Sequence, residues 1–196
     1  MKRIFIVAVM SVLLSGCDVL QQVQQIQTFA KCEFKMEKVH QVELAGVNFD
    51  QLSNWSDLNF MQLANITSAL TRSTVPLEMT IDVLTRNPNP VNASMQKMQW
   101  ILEVENEEIT RGTLNQKVNV AANGGSTTVP IRIQVDLKSV LAGKSGDAIL
   151  KFAQSMAGVS SDPGKITLKV KPSVDVRGFV IDYPSYISLT KEFKRN

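Results

Sequence analysis

LEMTIDVLTRNPNP, residues 77–90, is an alternating run stopped by two prolines set one residue apart. Leu77, Met79, Ile81 and Val83 fall on one face, the pattern of a strand with one buried and one wet side. Proline has no N–H to give a ladder and pushes the residue before it toward extended geometry. Pro88 and Pro90 therefore end pairing while Asn87 and Asn89 keep the chain outstretched. The two asparagine amides suit backbone groups left bare where the strand stops. The stretch reads as an edge or corner of a β-fold, not as a ligand loop.

The same two-residue period extends in both directions. It aligns Met98, Trp100, Leu102 and Val104, then Val129, Ile131, Ile133, Val135 and Leu137, then Ile166, Leu168 and Val170. Val174 and Val176 follow before Gly178 disturbs the phase, and Cys32, Phe34 and Met36 open a phase that VHQVELAGVNF continues as far as Gly46. Turn signals separate these runs at 105–108 (ENEE), 123–126 (NGGS), 160–165 (SSDPGK) and 171–173 (KPS). Two segments keep a helical period instead. In 56–70, Leu58, Met61, Ile66, Ala69 and Leu70 share a stripe behind a capping Ser56 or Asp57; in 145–158, Ile149, Leu150, Ala153, Met156 and Ala157 do so ahead of Gly158. About eight strands at regular spacing predict a mainly β fold, an antiparallel sandwich or barrel with two inserted or crossover helices. Aromatic residues are 6% of the chain, so its core must be aliphatic and methionine-rich.

The N-terminus has a separate logic. MKRIFIVAVMSVLLSGC sets Lys2 and Arg3 before an apolar run that is too short to span a bilayer, which needs about 20 residues. Its tetrad LSGC, Leu14–Cys17, resembles the bacterial lipobox. That resemblance implies a leader at 1–16, diacylglyceryl and palmitate-type acylation of Cys17, and a membrane-anchored lipoprotein of the bacterial cell envelope. Removing Lys2 and Arg3 from the 21 basic residues leaves 19 against 18 acidic, so the mature chain is nearly neutral. Residues 17–31 read as a tether, either an amphipathic helix through Val19, Val23, Ile26 and Phe29 or a glutamine-rich flexible segment, and 32–196 as one domain. Which membrane, and which of its faces, is left open.

The strand into NPNP, the strand MQWILEVENEEI, Gly112, the turn Gly124–Ser126 and an amphipathic strand ending in Asp136-Leu137 resemble the LEA type 2 family (LEA14-like, WHy domain). The likeness is good over 75–140 and loose over 32–47. It implies an immunoglobulin- or fibronectin-III-like antiparallel β-sandwich, a structural role for Asn87, Pro88, Asn89, Pro90 and Gly112, and a binding or stress-protective rather than catalytic module.

The chemistry-bearing residues agree with that class. His40 is the only histidine, and no Gly-x-Ser-x-Gly elbow, HExxH or paired CxxC accompanies it. Glu105, Glu107 and Glu108 crowd a hairpin tip that reads as solvated, and Asp162 beside Gly164 supplies one carboxylate where calcium wants six or more oxygens. Cys32 reads as a small buried apolar residue, and Tyr183, Tyr186 and Phe179 beside Pro184 as core and sheet edge. No cofactor, metal or catalytic residue is expected. Scattered cations without interleaved aromatics exclude nucleic acid. The expected partners are the membrane, through the lipid, and an envelope protein, a wall component or an apolar ligand. A non-catalytic envelope module is the leading expectation, and a carrier of an apolar ligand or lipid the alternative.

Overall fold

The computed structural model describes residues 28–29, 31–52, 55–142, 165–176 and 179–192. Cys17, the leader and tether before Thr28, the helical period at 145–158, Asp162 and Gly164 lie outside them.

Every strand pairing is antiparallel. One sheet joins β1 (Glu33–Leu44), β2 (Val47–Asn48), β3 (Pro76–Arg86) and β8 (Ser126–Asp136) in the order β2-β1-β3-β8. The other joins β5 (Lys97–Val104), β6 (Glu107–Leu114) and β9 (Lys165–Val176), with β10 (Phe179–Asp182) and β11 (Ile187–Glu192) both on the far flank of β9. A small third ladder pairs β4 (Ala93–Met95) with β7 (Val118–Val120). The fold is the expected mainly β antiparallel sandwich. Inward-facing Leu77, Ile81, Val83, Met98, Leu102, Ile131, Ile133, Leu168 and Val170 of both sheets make one aliphatic core.

The long strands define two ends. β3, with 11 residues, runs about 36 Å between them. At the NPNP pole lie Thr28 and Phe29, the 87–96 connection, the β4–β7 ladder and the β9–β10 hairpin. At the helix pole lie α1 (Phe60–Thr71), α2 (Leu137–Val140) and the β5–β6 tip.

Several expectations need correction. The KPS signal at 171–173 is not a turn, because β9 runs unbroken through it. Pro172 is tolerated there because its rung falls in the seam between the last β11 pair, Val170 with Ile187, and the first β10 pair, Ser173 with Asp182. The cap of α1 is neither Ser56 nor Asp57, which sit in a separate 3-10 turn, but Asn59. Its side chain takes the Gln62 N–H and the Gln62 side chain takes the Asn59 N–H, both at 2.9 Å. Met61 does not join the buried stripe: Ile66 and Ala69 are buried, and Met61 stands in solvent. Asp136-Leu137 does not simply end a strand. The Asp136 carboxylate caps the short α2 and also takes the Val75 N–H at 2.7 Å, tying β8 to the start of β3. Phe29 and Thr28, inside the stretch read as tether, are buried in the domain.

Candidate functional site

Past Arg86 the strand alternation continues without a ladder. Asn87 and Asn89 point inward and Pro88 and Pro90 outward. Asn87 is fully buried, and all of its side-chain hydrogen-bonding capacity is used. Its amide donates to the Val91 and Val120 carbonyls at 2.9 and 3.2 Å, and its Oδ1 accepts from the backbone N–H and side-chain amide of Asn89 at 3.1 and 2.7 Å. The second proton of the Asn89 amide goes to the Thr28 carbonyl at 2.8 Å. The backbone of Asn87 still exchanges bonds with Gly124 and Gly125, each 2.8 Å, across a turn in which Gly124 takes a φ of +88°. The motif is thus a buried bracket that binds the entering chain, β7 and the β7–β8 turn. Cys32 lies beside it, buried, with its Sγ 3.7 Å from the Thr28 carbonyl. Burial, reinforced by the charge of Glu33, pushes its thiol up to about 11, so it is an inert core thiol.

Gly112 has an equally specific cause. Trp100 of β5 lies against it, and a Cβ at position 112 would overlap the indole Cζ2 and Cε2. Trp100 also lines a groove of about 320 Å³ on the flank where β6 and β8 leave the sandwich open, with Leu114, Pro130 and Ile131 and with Thr113, Gln116 and Arg132. A trough of about 450 Å³ on the outer face of β1-β3-β8 is polar, lined by Gln41, Glu43, Glu78 and Arg132 next to a bulge in β1. There Asp50 holds the bulged Gln41 and Val42 N–H groups at 2.6 and 3.0 Å.

The titratable candidates are committed to structural partners. His40 Nε2 lies 3.0 Å from Asp82 Oδ2 on the face of β1 and β3, close to the carboxylate but out of line for a hydrogen bond. The acidic tip does not pair its carboxylates. Glu105 and Asn106 form a two-residue turn with φ of 50° and 67°, and Glu105 accepts the Lys165 N–H at 2.8 Å. Glu108 takes two bonds from Arg111 at 2.6 and 2.7 Å, which hold its carboxyl below the usual range. One cluster escaped sequence reading. Asp182 accepts from the buried Ser173 hydroxyl at 2.6 Å and from Gln99 at 3.1 Å, with Lys97 at 3.7 Å, and the Ser173 bond foremost lowers its carboxyl. No local signal marks it, because Gln99 and Asp182 meet only when β5, β9 and β10 pair. Tyr186 stands over the same face, its hydroxyl donating to Gln99 at 3.3 Å. Of the segment read as core and sheet edge, Tyr183 is half-buried and Tyr186, Val180 and Ile181 are exposed beside the outer flank of β9, while the Phe179 side chain lies outside the description. Among the described residues no cluster of His, Cys, Asp and Glu could hold a metal, and no helix is long and apolar enough to cross a membrane.

A two-sheet sandwich with open grooves along its flanks, and whose described polar groups mostly bind one another, defines a β-sandwich module. The chain belongs to the LEA type 2 family. The family model for late embryogenesis abundant protein matches residues 82–185, more than half of the chain. That span runs past Leu137 through β9 and β10, further toward the C-terminus than the motifs at 75–140 suggest. Membership suggests a stress-related, non-catalytic module. No curated protein matches. Similar solved structures include a crystal structure of a protein from Archaeoglobus fulgidus, 16% identical over 62% of this chain and 85% of that one, TM-score 0.38. A solution structure of an Arabidopsis thaliana protein is 17% identical over 82% of this chain and 79% of that one, TM-score 0.38. The solution structure of a putative late embryogenesis abundant (LEA) protein is 14% identical over 95% and 82%, TM-score 0.41.

Proposed function

We propose that this chain is a non-catalytic lipoprotein of a bacterial cell envelope, a LEA type 2 sandwich held to a membrane through acylated Cys17 and binding another envelope component. The lipobox tetrad Leu14–Cys17 ahead of a LEA type 2 domain carries the reading. The commitment of His40, Glu105, Glu108 and Asp182 to structural partners is in keeping with it. The surface offered for binding is α1, where Phe60 and Met61 are 82% and 67% exposed although the helix carries no charged residue. A Cys17→Ala chain should lose both radiolabelled acyl chain and membrane association; retention of both refutes the anchor. A photo-crosslinker at Met61 in intact cells should trap one reproducible envelope partner, and failure to enrich any protein or wall fragment counts against the binding role.

A second reading, a carrier of an apolar ligand, is favoured by the groove on Trp100, Leu114 and Ile131. Its volume of about 320 Å³ falls at the lower end of small-ligand sites. Organic extraction of gently purified protein should then yield stoichiometric lipid by mass spectrometry, and repeated clean blanks sink this reading.

A further inference from the structure

The two flanks of the sandwich treat their strand edges differently. On one, β1 lies beside β11, and the backbone groups of β1 outside the β3 ladder are taken at several points. β2 pairs with Glu43 and Leu44, the Phe49 N–H donates to the Val42 carbonyl at 2.8 Å, and Asp50 holds the Gln41 and Val42 N–H groups. Lys191 Nζ crosses from β11 to the Glu37 carbonyl at 2.8 Å. On the other flank β6 and β8 end their sheets with no ladder on the outer side. β8 is blunted by Pro130, which has no N–H to offer, and the Thr127 hydroxyl ties its start to the Asn119 carbonyl at 3.2 Å. β6 contains neither proline nor lysine. Its one bulge, at Ile109, lies toward the tip, since Leu102 pairs with Thr110 but Glu103 with Glu108. From Thr110 to Leu114 the strand is regular, and the N–H and C=O groups it turns away from β5 have no partner among the described residues.

This open edge runs beside the groove on Trp100, Leu114, Pro130 and Ile131. Arg132, at the same groove, is exposed and makes no hydrogen bond or ion pair with the described residues, whereas Arg111 of β6 is held by Glu108. Glu43 and Glu78 share the outer trough with Arg132 without pairing to it. An acyl chain could fill the apolar part of the groove, but it would leave the bare backbone of β6 and the guanidinium unanswered. A peptide strand answers all three. We propose that β6 accepts an extended segment of a partner protein as an added strand along Thr110–Leu114, with an apolar side chain in the groove and a carboxylate on Arg132. Ladder bonds supply affinity whatever the sequence of the segment, and the groove and Arg132 select which segments fit. This site goes beyond the lipid anchor and the contact face of α1, and it depends on neither.

The test selects a phage-displayed library of random peptides on the purified full chain and follows the enriched peptides by amide hydrogen exchange. They should alternate apolar residues around a carboxylate, and should slow exchange at Thr110–Leu114 while leaving β1 and α1 unchanged. Arg132→Glu, a change at an exposed position, should weaken them about tenfold, and a fresh selection on that variant should replace the carboxylate by a cation. Leu114→Lys sets a charge at the edge and should abolish binding, with a thermal melt to show that the variant is folded. If it is not folded, Arg132→Glu decides alone. Failure to enrich any alternating peptide, protection that falls on β1, β11 or α1, or indifference to Arg132→Glu overturns the proposal. Palmitate that shifts the indole emission, with no peptide protecting β6, overturns it in favour of the carrier.

Discussion

The two poles of the sandwich are closed to different depths. At the NPNP pole closure is polar and interior: two asparagines spend their amides on chain segments up to 61 residues away. At the helix pole closure is thinner, one carboxylate, Asp136, tying the start of α2 to the Val75 N–H alongside an apolar helix. α1 commits only Ile66 and Ala69 to full burial and turns Phe60, Met61 and Leu63 outward. Burial fixes geometry because an unpaired buried amide or a steric overlap has no inexpensive escape, whereas an exposed helix face is free to be specialised for contact. The difference teaches where stability and where recognition reside in this domain.

That contrast breaks first at Asn87. Asn87→Ala should cost about 3 kcal/mol, since the Val91 and Val120 carbonyls and the Asn89 amide lose their partners together, and chemical denaturation would read it. A loss below a few tenths would mean that water replaces the bracket and that the pole is not held by it. Gly112→Ala should cost about 2 kcal/mol through overlap with Trp100, and in a double-mutant cycle Trp100→Leu should recover most of it.

A pH titration at the same pole tests burial rather than bonding. Burial pushes the thiol of Cys32 up to about 11 in the folded state from its ordinary value near 9.0, so the folded protein retains a proton that the unfolded chain releases. Stability should therefore be intact below pH 9 and fall as the pH rises from 9 through 11. Cys32→Ala should flatten that stretch of the profile, measured by urea midpoints; an unchanged slope would assign the loss to other groups.

At the helix pole the effects shrink. Asn59→Ala removes the capping box and should cost about 1 kcal/mol, visible as faster amide exchange confined to α1. Phe60→Ser with Met61→Ser should change global stability by less than about 0.5 kcal/mol while abolishing crosslinking from a probe placed at the exposed Leu63 of the same helix. A large loss of stability from that pair would show that α1 is packed more deeply than its exposure implies, and the contrast between the poles would fail.

Much of this was legible in advance because strand period is a local property. Leu77, Met79, Ile81 and Val83 alternate for steric reasons that involve no distant residue, and the prolines of NPNP stop a ladder wherever they fall. Pro172 shows the limit of the second rule: the same residue lies inside a strand because two different neighbours, β11 and β10, meet at its rung. Met61 shows the limit of the helical rule. Its spacing matches Ile66 and Ala69, but a helix seated at the end of a sandwich has room to bury only a narrow stripe.

By itself, then, the sequence determined the β-class, the strand faces, the place where β3 stops and the lipobox-like start. The tertiary structure alone decided that the NPNP asparagines face inward onto Thr28, Val91 and Val120, that Trp100 covers Gly112, and that Ser173 and Gln99 converge on Asp182. Backbone sterics and hydrophobic period act over a few residues and can be read in one dimension. A buried polar group is satisfied only by whatever chain the fold brings within 3 Å of it, and that partner is a property of the register between strands.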